Sequence, residues 1–174
     1  MGRTHPLPVK GMTSDGKAVA ISEGEPGILT QLAGWDRFDE AANAALRPFS
    51  LSLPSGFRKP VRVRKKTVWR IAPDKALVMS AKTLGLENSS ELAILDLSDA
   101  RIRLILEGPG TADLLSRVMA LDFSETAFPI GTFAQGSLHH VGVLVDRRNE
   151  DIFDLLIPTT WAISLTSLIA DHLR

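Results

Sequence analysis

The chain has 174 residues, 44% hydrophobic and 23% charged, and its 20 Lys+Arg balance 20 Asp+Glu to a formal net charge of zero. This is the composition of a globular protein with a core, one domain or two small ones sharing it, and it excludes a disordered chain, a collagen-like repeat and a coiled coil. No run approaches the roughly 18 apolar residues of a membrane span, and the absence of cysteine excludes disulfides, thiolate metal sites, iron–sulfur clusters and a Cys nucleophile.

Residues 1–27 contain five Gly, three Pro and two Ser without a sustained apolar period. They are expected to form a flexible arm that orders only against a partner. They also lack the apolar stretch of an export signal, so a cytoplasmic address is expected. Folded structure is expected over 28–174, in sub-halves of about 28–98 and 99–174.

In the first of these, residues 28–33 alternate as a short strand. Asp36 then starts a helix over 37–46 with Phe38, Ala41, Ala42 and Ala45 on one face. Arg47-Pro48 ends it, because a residue before proline disfavours helix. From Val61 the period is two, with Val61, Val63, Trp69 and Ile71 opposite Arg62, Arg64, Lys66 and Arg70. A turn at 72–75 leads into the buried strand 76–79, which makes a hairpin. A short helix over 81–86 and a strand over 92–97 would complete β-α-β-β-α-β, the ferredoxin-like order.

The second half restarts in the same way. Ile102, Leu104 and Leu106 share one face of a strand over 101–107, and Pro109 suits the first position of a helix carrying Ala112, Leu115, Val118 and Met119 inward. Strands follow at 132–138, 141–146 and 152–157, with 147–150 as a polar turn. A closing helix over 160–173 puts Trp161, Leu165, Leu168, Ile169 and His172 on its buried side. The fold class expected is α+β.

Few residues are suited to chemistry. Tyrosine is absent and four histidines remain, His5, His139, His140 and His172. Gly108-Pro109-Gly110-Thr111-Ala112-Asp113 sits where a phosphate loop would. Asp113, however, replaces the third glycine of a dinucleotide fingerprint, and no Gly-Lys-Ser/Thr follows, so a plain strand-to-helix turn is expected. His139 and His140 are expected to begin a strand, pointing to opposite faces and unable to share a metal. Ser137 lacks the Gly-x-Ser-x-Gly elbow of a nucleophile. No catalytic, cofactor-binding or metal residue is assigned.

Charge is uneven along the chain: residues 1–82 carry +7 and residues 83–174 carry −7. Six cations lie within positions 58–66, namely Arg58, Lys59, Arg62, Arg64, Lys65 and Lys66. No aromatic interleaves them, so a base-stacking platform is missing. A solvated strand edge explains the run first, an acidic protein partner second and nucleic acid third. If the run is an interface, its residues are Arg58, Lys59, Arg62, Arg64 and Lys66.

One series is more specific. Residues 93–98 (Ala-Ile-Leu-Asp-Leu-Ser) precede Arg101-Ile102-Arg103-Leu104, Gly108-Pro109, Ala112, Leu114-Leu115 and Leu121-Asp122. Phe128-Pro129-Ile130-Gly131, Ala134-Gln135, Val143-Leu144, Arg147, residues 153–158 and Ala162 follow. This order resembles the gamma subunit of heterotetrameric sarcosine oxidase over about residues 28–173. The resemblance implies a fold like the front part of the glycine-cleavage T-protein, in two β-α-β-rich halves. It also implies a non-catalytic accessory subunit in a complex that oxidatively demethylates sarcosine and passes the one-carbon unit to tetrahydrofolate. FAD, FMN, NAD and tetrahydrofolate would then sit in partner subunits, with alpha, beta and delta chains as partners and neither nucleic acid nor membrane involved. An isolated subunit exposing its interface is expected to self-associate. The alternative is a stand-alone tetrahydrofolate-binding protein of the T-protein type, which would call on Asp96, Asp122, Trp69 and Trp161 for a carboxylate and aromatic walls.

Overall fold

Period-two alternation builds most of the molecule. The computed structural model describes residues 7–25 and 27–174. In chain order the strands are β1 (Val9–Met12), β2 (Ala18–Gly24), β3 (Ile28–Gly34), β4 (Val61–Val63), β5 (Lys66–Ala72) and β6 (Lys75–Ser80). They continue with β7 (Leu92–Asp96), β8 (Arg101–Glu107), β9 (Phe133–Leu138), β10 (Val141–Asn149) and β11 (Ile152–Pro158). The helices are α1 (Phe38–Leu46), α2 (Thr111–Val118) and α3 (Ala162–Ala170). The strands form two antiparallel sheets, ordered β1-β2-β8-β11-β10-β9 and β4-β5-β6-β3-β7. The fold is α+β, as the sequence pattern requires.

Two units share these sheets out. The first joins residues up to 25 with 100–174, and the second holds the residues between. In the first unit, Ile102, Leu104 and Leu106 of β8 face a core shared with Ile21, Val145, Leu155 and Ile157, all nearly solvent-free. Register brings them together, with Leu106 opposite Ile21 and Leu104 opposite Leu155. Helix α2 adds Leu114 and Leu115 and α3 adds Leu165 and Ile169. Phe123, Phe128 and Phe153 close the core, with ring centroids 5.2–6.3 Å apart. Each such side chain contributes about 1.5–3 kcal/mol by leaving water.

In the second unit, α1 lays Phe38, Ala42 and Leu46 against Leu32, Val68, Ala76, Val78 and Leu92. The alanines let the helix approach the sheet closely. Ser50, in the left-handed region at φ 59°, stops the 3-10 turn that follows α1.

Several expectations are corrected. The arm expected over 1–27 contains the β1–β2 hairpin, whose Val19 and Ile21 are core residues; Met12 and Arg174 also exchange backbone hydrogen bonds of 2.9 Å. The helix expected over 81–86 does not form. Leu84 and Leu86 both pack on the core two residues apart, an extended spacing, and Gly85 between them has φ 61°. Helix α2 starts at Thr111, so Pro109 precedes it. Arg147, Arg148 and Asn149 belong to β10, which carries a bulge there, and are not a turn. Helix α3 is shorter than 160–173, and Trp161 and His172 lie exposed instead of buried. The +7 and −7 of the two chain halves become +3 for residues 26–99 and −3 for the remainder, since Glu87, Glu91, Asp96 and Asp99 join the basic unit while residues 1–25 are neutral.

Candidate functional site

The basic run forms the edge of the five-stranded sheet. Strand β4 pairs on one side only, with Val63 opposite Lys66, and Arg64-Lys65 make the two-residue turn. Arg64 takes the left-handed conformation, φ 54°, that such a turn demands. Arg58, Lys59, Arg64 and Lys65 are exposed, whereas Arg62 and Lys66 are half-buried. Arg62 Nη1 donates to Thr67 Oγ1 at 3.3 Å and Lys66 Nζ to the Phe49 carbonyl at 3.3 Å. Arg58 has a partner within the chain as well. The run therefore divides into cations that brace the hairpin and cations (Lys59, Arg64, Lys65) that face solvent. Charge on an edge strand repels further strand addition and attracts acidic surfaces.

The Gly-Pro-Gly loop is explained by packing alone. Gly108 sits at φ 123°, and a Cβ there would run into the Ala18 carbonyl. Gly110 donates its N–H to that same carbonyl at 3.1 Å, and the Thr111 N–H goes to Gly108. The amides that would cradle a phosphate thus hold the β1–β2 hairpin against α2. Asp113 adds a 2.7 Å ion pair to Lys17, which raises the lysine pKa through hydrogen bond and charge together.

His139 and His140 do not begin a strand. They are the turn between β9 and β10, both exposed and both left-handed at φ 47° and 68°. Their rings are 5.6 Å apart. His172 Nδ1 donates to the Leu168 carbonyl at 2.9 Å, one turn back. His5 lies outside the described residues.

The four residues considered for a folate site are not gathered into one. Trp69 is 1% exposed and has no free face. Asp122 accepts the Ser124 N–H at 2.8 Å in a local turn, which lowers its pKa. Trp161 is exposed. Asp96 alone lines a cleft, of about 480 Å³, between the loop 83–88 and the ends of β3 and β7. The cleft walls are aliphatic (Ile28, Leu84, Leu86, Ile94), with Thr30, Glu87 and Asn88 as polar groups. Asp96 accepts the Ser98 hydroxyl at 2.6 Å and the Ser98 N–H at 2.9 Å, and these bonds hold its pKa below the carboxylate range.

Sequence reasoning missed a buried charge network in the first unit. Asp154 is 2% exposed on β11, and its Oδ2 accepts Arg103 Nη2 at 2.8 Å, Arg103 Nε at 3.1 Å and Arg148 Nη1 at 2.9 Å. Its cross-strand neighbour Asp146 is fully buried and also engaged. Arg147, on the opposite face, donates to the Phe128 and Glu150 carbonyls at 2.8 Å each and stacks 5.2 Å over Phe153. The available signal was parity. Arg103, Asp154, Asp146 and Arg148 all occupy positions alternating with core residues in strands that have neighbours on both sides.

No family model and no curated protein matches the sequence. Solved structures do. A chain of the heterotetrameric sarcosine oxidase from Corynebacterium sp. U-96 superposes with a TM-score of 0.78 at 22% identity, over 93% of this chain and 86% of that one. The fold is shared with a sarcosine oxidase chain. The glycine cleavage system aminomethyltransferase T from Bartonella henselae superposes with a TM-score of 0.60 at 16% identity, over 88% of this chain and 46% of that one. This chain thus spans a little under half of the aminomethyltransferase. The sarcosine oxidase and T-protein resemblance expected from the motif series holds for the fold. Among the described residues, no helix is long and apolar enough to cross a membrane.

Proposed function

We propose that this chain is the gamma-type accessory subunit of a flavin-dependent, tetrahydrofolate-linked sarcosine oxidase, with FAD, FMN, NAD and the folate held by alpha, beta and delta partner chains. The observation that carries the reading is the superposition over 93% of this chain and 86% of a sarcosine oxidase chain. Coverage of 86% of that chain, against 46% of the aminomethyltransferase, favours the sarcosine oxidase reading over the aminomethyltransferase one. Several polar side chains considered for chemistry support it too, because they have structural tasks. Asp122 caps a turn, Asp113 clamps a hairpin, and His139 and His140 form a turn.

In this reading the chain contributes surface, not catalysis. The cationic edge of β4, with Arg58, Lys59, Arg62, Arg64 and Lys66, meets an acidic partner surface. A tagged chain expressed in its native cell should retain larger chains and elute yellow, with flavin absorption bands. A colourless eluate containing this chain alone overturns the proposal. So does a holoenzyme that keeps its composition and turnover when this chain is deleted.

A further inference from the structure

Arg101 opens β8 on the face opposite the core, since Ile102 beside it points inward. In the sheet order β8-β11-β10 its side chain crosses the whole of β11, passing Pro158, its register partner, to reach β10. There Nη1 donates to the Gly142 carbonyl at 3.4 Å, a long bond and the one that the guanidinium makes. Among the described residues, four of its five N–H donors have no acceptor. Among the described residues no carboxylate pairs with it, and burial pushes its pKa down. The guanidinium is half-buried, and its unbonded donors stay open to an incoming acceptor.

Gly142 is the second observation. The other strand glycines, Gly11, Gly24, Gly34 and Gly136, each have atoms packed where a Cβ would be, between 2.6 and 3.1 Å away. Gly142 has open space there and no left-handed φ to require it. A strand-interior glycine weakens the strand, and one that neither packing nor conformation demands marks a place where another molecule approaches the backbone. Its cross-strand partner is Ser137, on the same face by strand parity; Ser137 is exposed, and its hydroxyl makes no bond among the described residues.

We propose that the Arg101 guanidinium, the bare backbone of Gly142 and the Ser137 hydroxyl form a docking site for a single carboxylate. One planar fork of donors above an open shelf matches a planar anion with two oxygens. A phosphate would want the several cations or the helix N-terminus that this row lacks. The carboxylate belongs either to a small free acid or to an acidic side chain on a protein. The site is independent of the subunit reading above.

The test titrates the full chain at constant ionic strength with sodium acetate and with an acetylated, amidated Gly-Asp-Gly peptide, following the Arg101 Nε–H resonance by NMR. Saturable shifts with a Kd of about 1–10 mM are expected, the range of one charge-assisted contact. Acetate binding with peptide rejection assigns the site to a free acid, and binding of both assigns it to a protein carboxylate. Gly142→Val should fill the shelf, keep or raise the melting temperature, and abolish the shift. Ser137→Ala should weaken binding about twofold to tenfold. In Arg101→Gln the backbone amide shifts at Gly142 and Ser137 should be lost. An Arg101 resonance unmoved by either probe overturns the proposal, as does Gly142→Val binding like the wild type.

Discussion

The two units stabilise their interiors by different means. Buried polar residues of the second unit are Thr67 and Ser80, both uncharged, and its core is apolar packing of Phe38, Ala42 and Leu46 of α1 on the strands. Its ion pairs, Arg37–Glu40 and Arg70–Asp39, have carboxylates 69% and 62% exposed. The first unit buries Asp146, Asp154 and Arg147 within one sheet, together with three packed phenylalanines. Charge inside a sheet fixes register, because a slip by one residue would put Asp154 into the apolar core and Leu155 where the arginines are. A six-stranded sheet assembled from two distant stretches of chain gains more from that constraint than a sheet drawn from one continuous stretch. An apolar core, by contrast, tolerates substitution so long as volume is kept.

The sharpest way to break this comparison is at the phenylalanine cluster. Phe153→Ala leaves a cavity beside Phe123 and Phe128 and removes the ring under Arg147, so it should cost about 3–5 kcal/mol in a urea titration. Next in size is the buried network. Asp154→Ala strands two guanidinium groups and should cost about 2–3 kcal/mol, below the roughly 3–5 of a fully buried pair because Arg103 and Arg148 are 20% and 32% exposed. Arg103→Ala made on top of it should then cost clearly less than Arg103→Ala alone, a non-additivity read by a double-mutant cycle. If both changes simply add, the network does not act as a unit.

The counterpart in the second unit is smaller. Asp39→Asn removes the carboxylate facing Arg70 and should cost at most about 1 kcal/mol, and less at high salt. The smallest effect concerns Asp96. Its folded pKa is held down by the Ser98 hydroxyl and then the Ser98 N–H, so its contribution is present above the ordinary carboxylate pKa and is lost as pH falls through the depressed value. An NMR titration should find the Asp96 carboxyl below its ordinary range, and Ser98→Ala should move it back upward. An unchanged midpoint in Ser98→Ala would assign the shift to the backbone donor instead.

Much of this architecture was legible from alternation. Ile102, Leu104 and Leu106 marked β8 to the residue, and the turn at 72–75 marked the β5–β6 hairpin. The N-terminal hairpin was not read, because Gly, Pro and Ser diluted its composition. Yet Asp15-Gly16 between Lys10–Met12 and Val19–Ile21 is a hairpin signal, and parity at Val19 and Ile21 was intact. The segment 81–86 failed for a different reason: the window is too short to establish a period, although Leu84 and Leu86, two apart, already had the spacing of extended chain. The Gly-Pro-Gly loop forms the strand-to-helix turn expected of it, but its packing task could not be seen, since it lies in a carbonyl from a hairpin some 90 residues earlier in the chain. The carboxylate shelf was out of reach for the same reason, since Arg101 and Gly142 meet only across an intervening strand.

The chain order of the strands has a kinetic consequence. Strand β2 pairs with β8, and all five strands of the other sheet lie between them in sequence. During synthesis the second unit therefore possesses every strand of its sheet once Asp96 has emerged from the exit tunnel, some tens of residues after its own addition. The β1–β2 hairpin, by then long made, still lacks its neighbour. Vectorial folding would thus run from the inside of the sequence outward, with the earliest residues among the last to be secured, and a ribosome-stalled chain exposed up to residue 100 with β8 still in the tunnel should resist protease over 27–99 while being cut within 7–25.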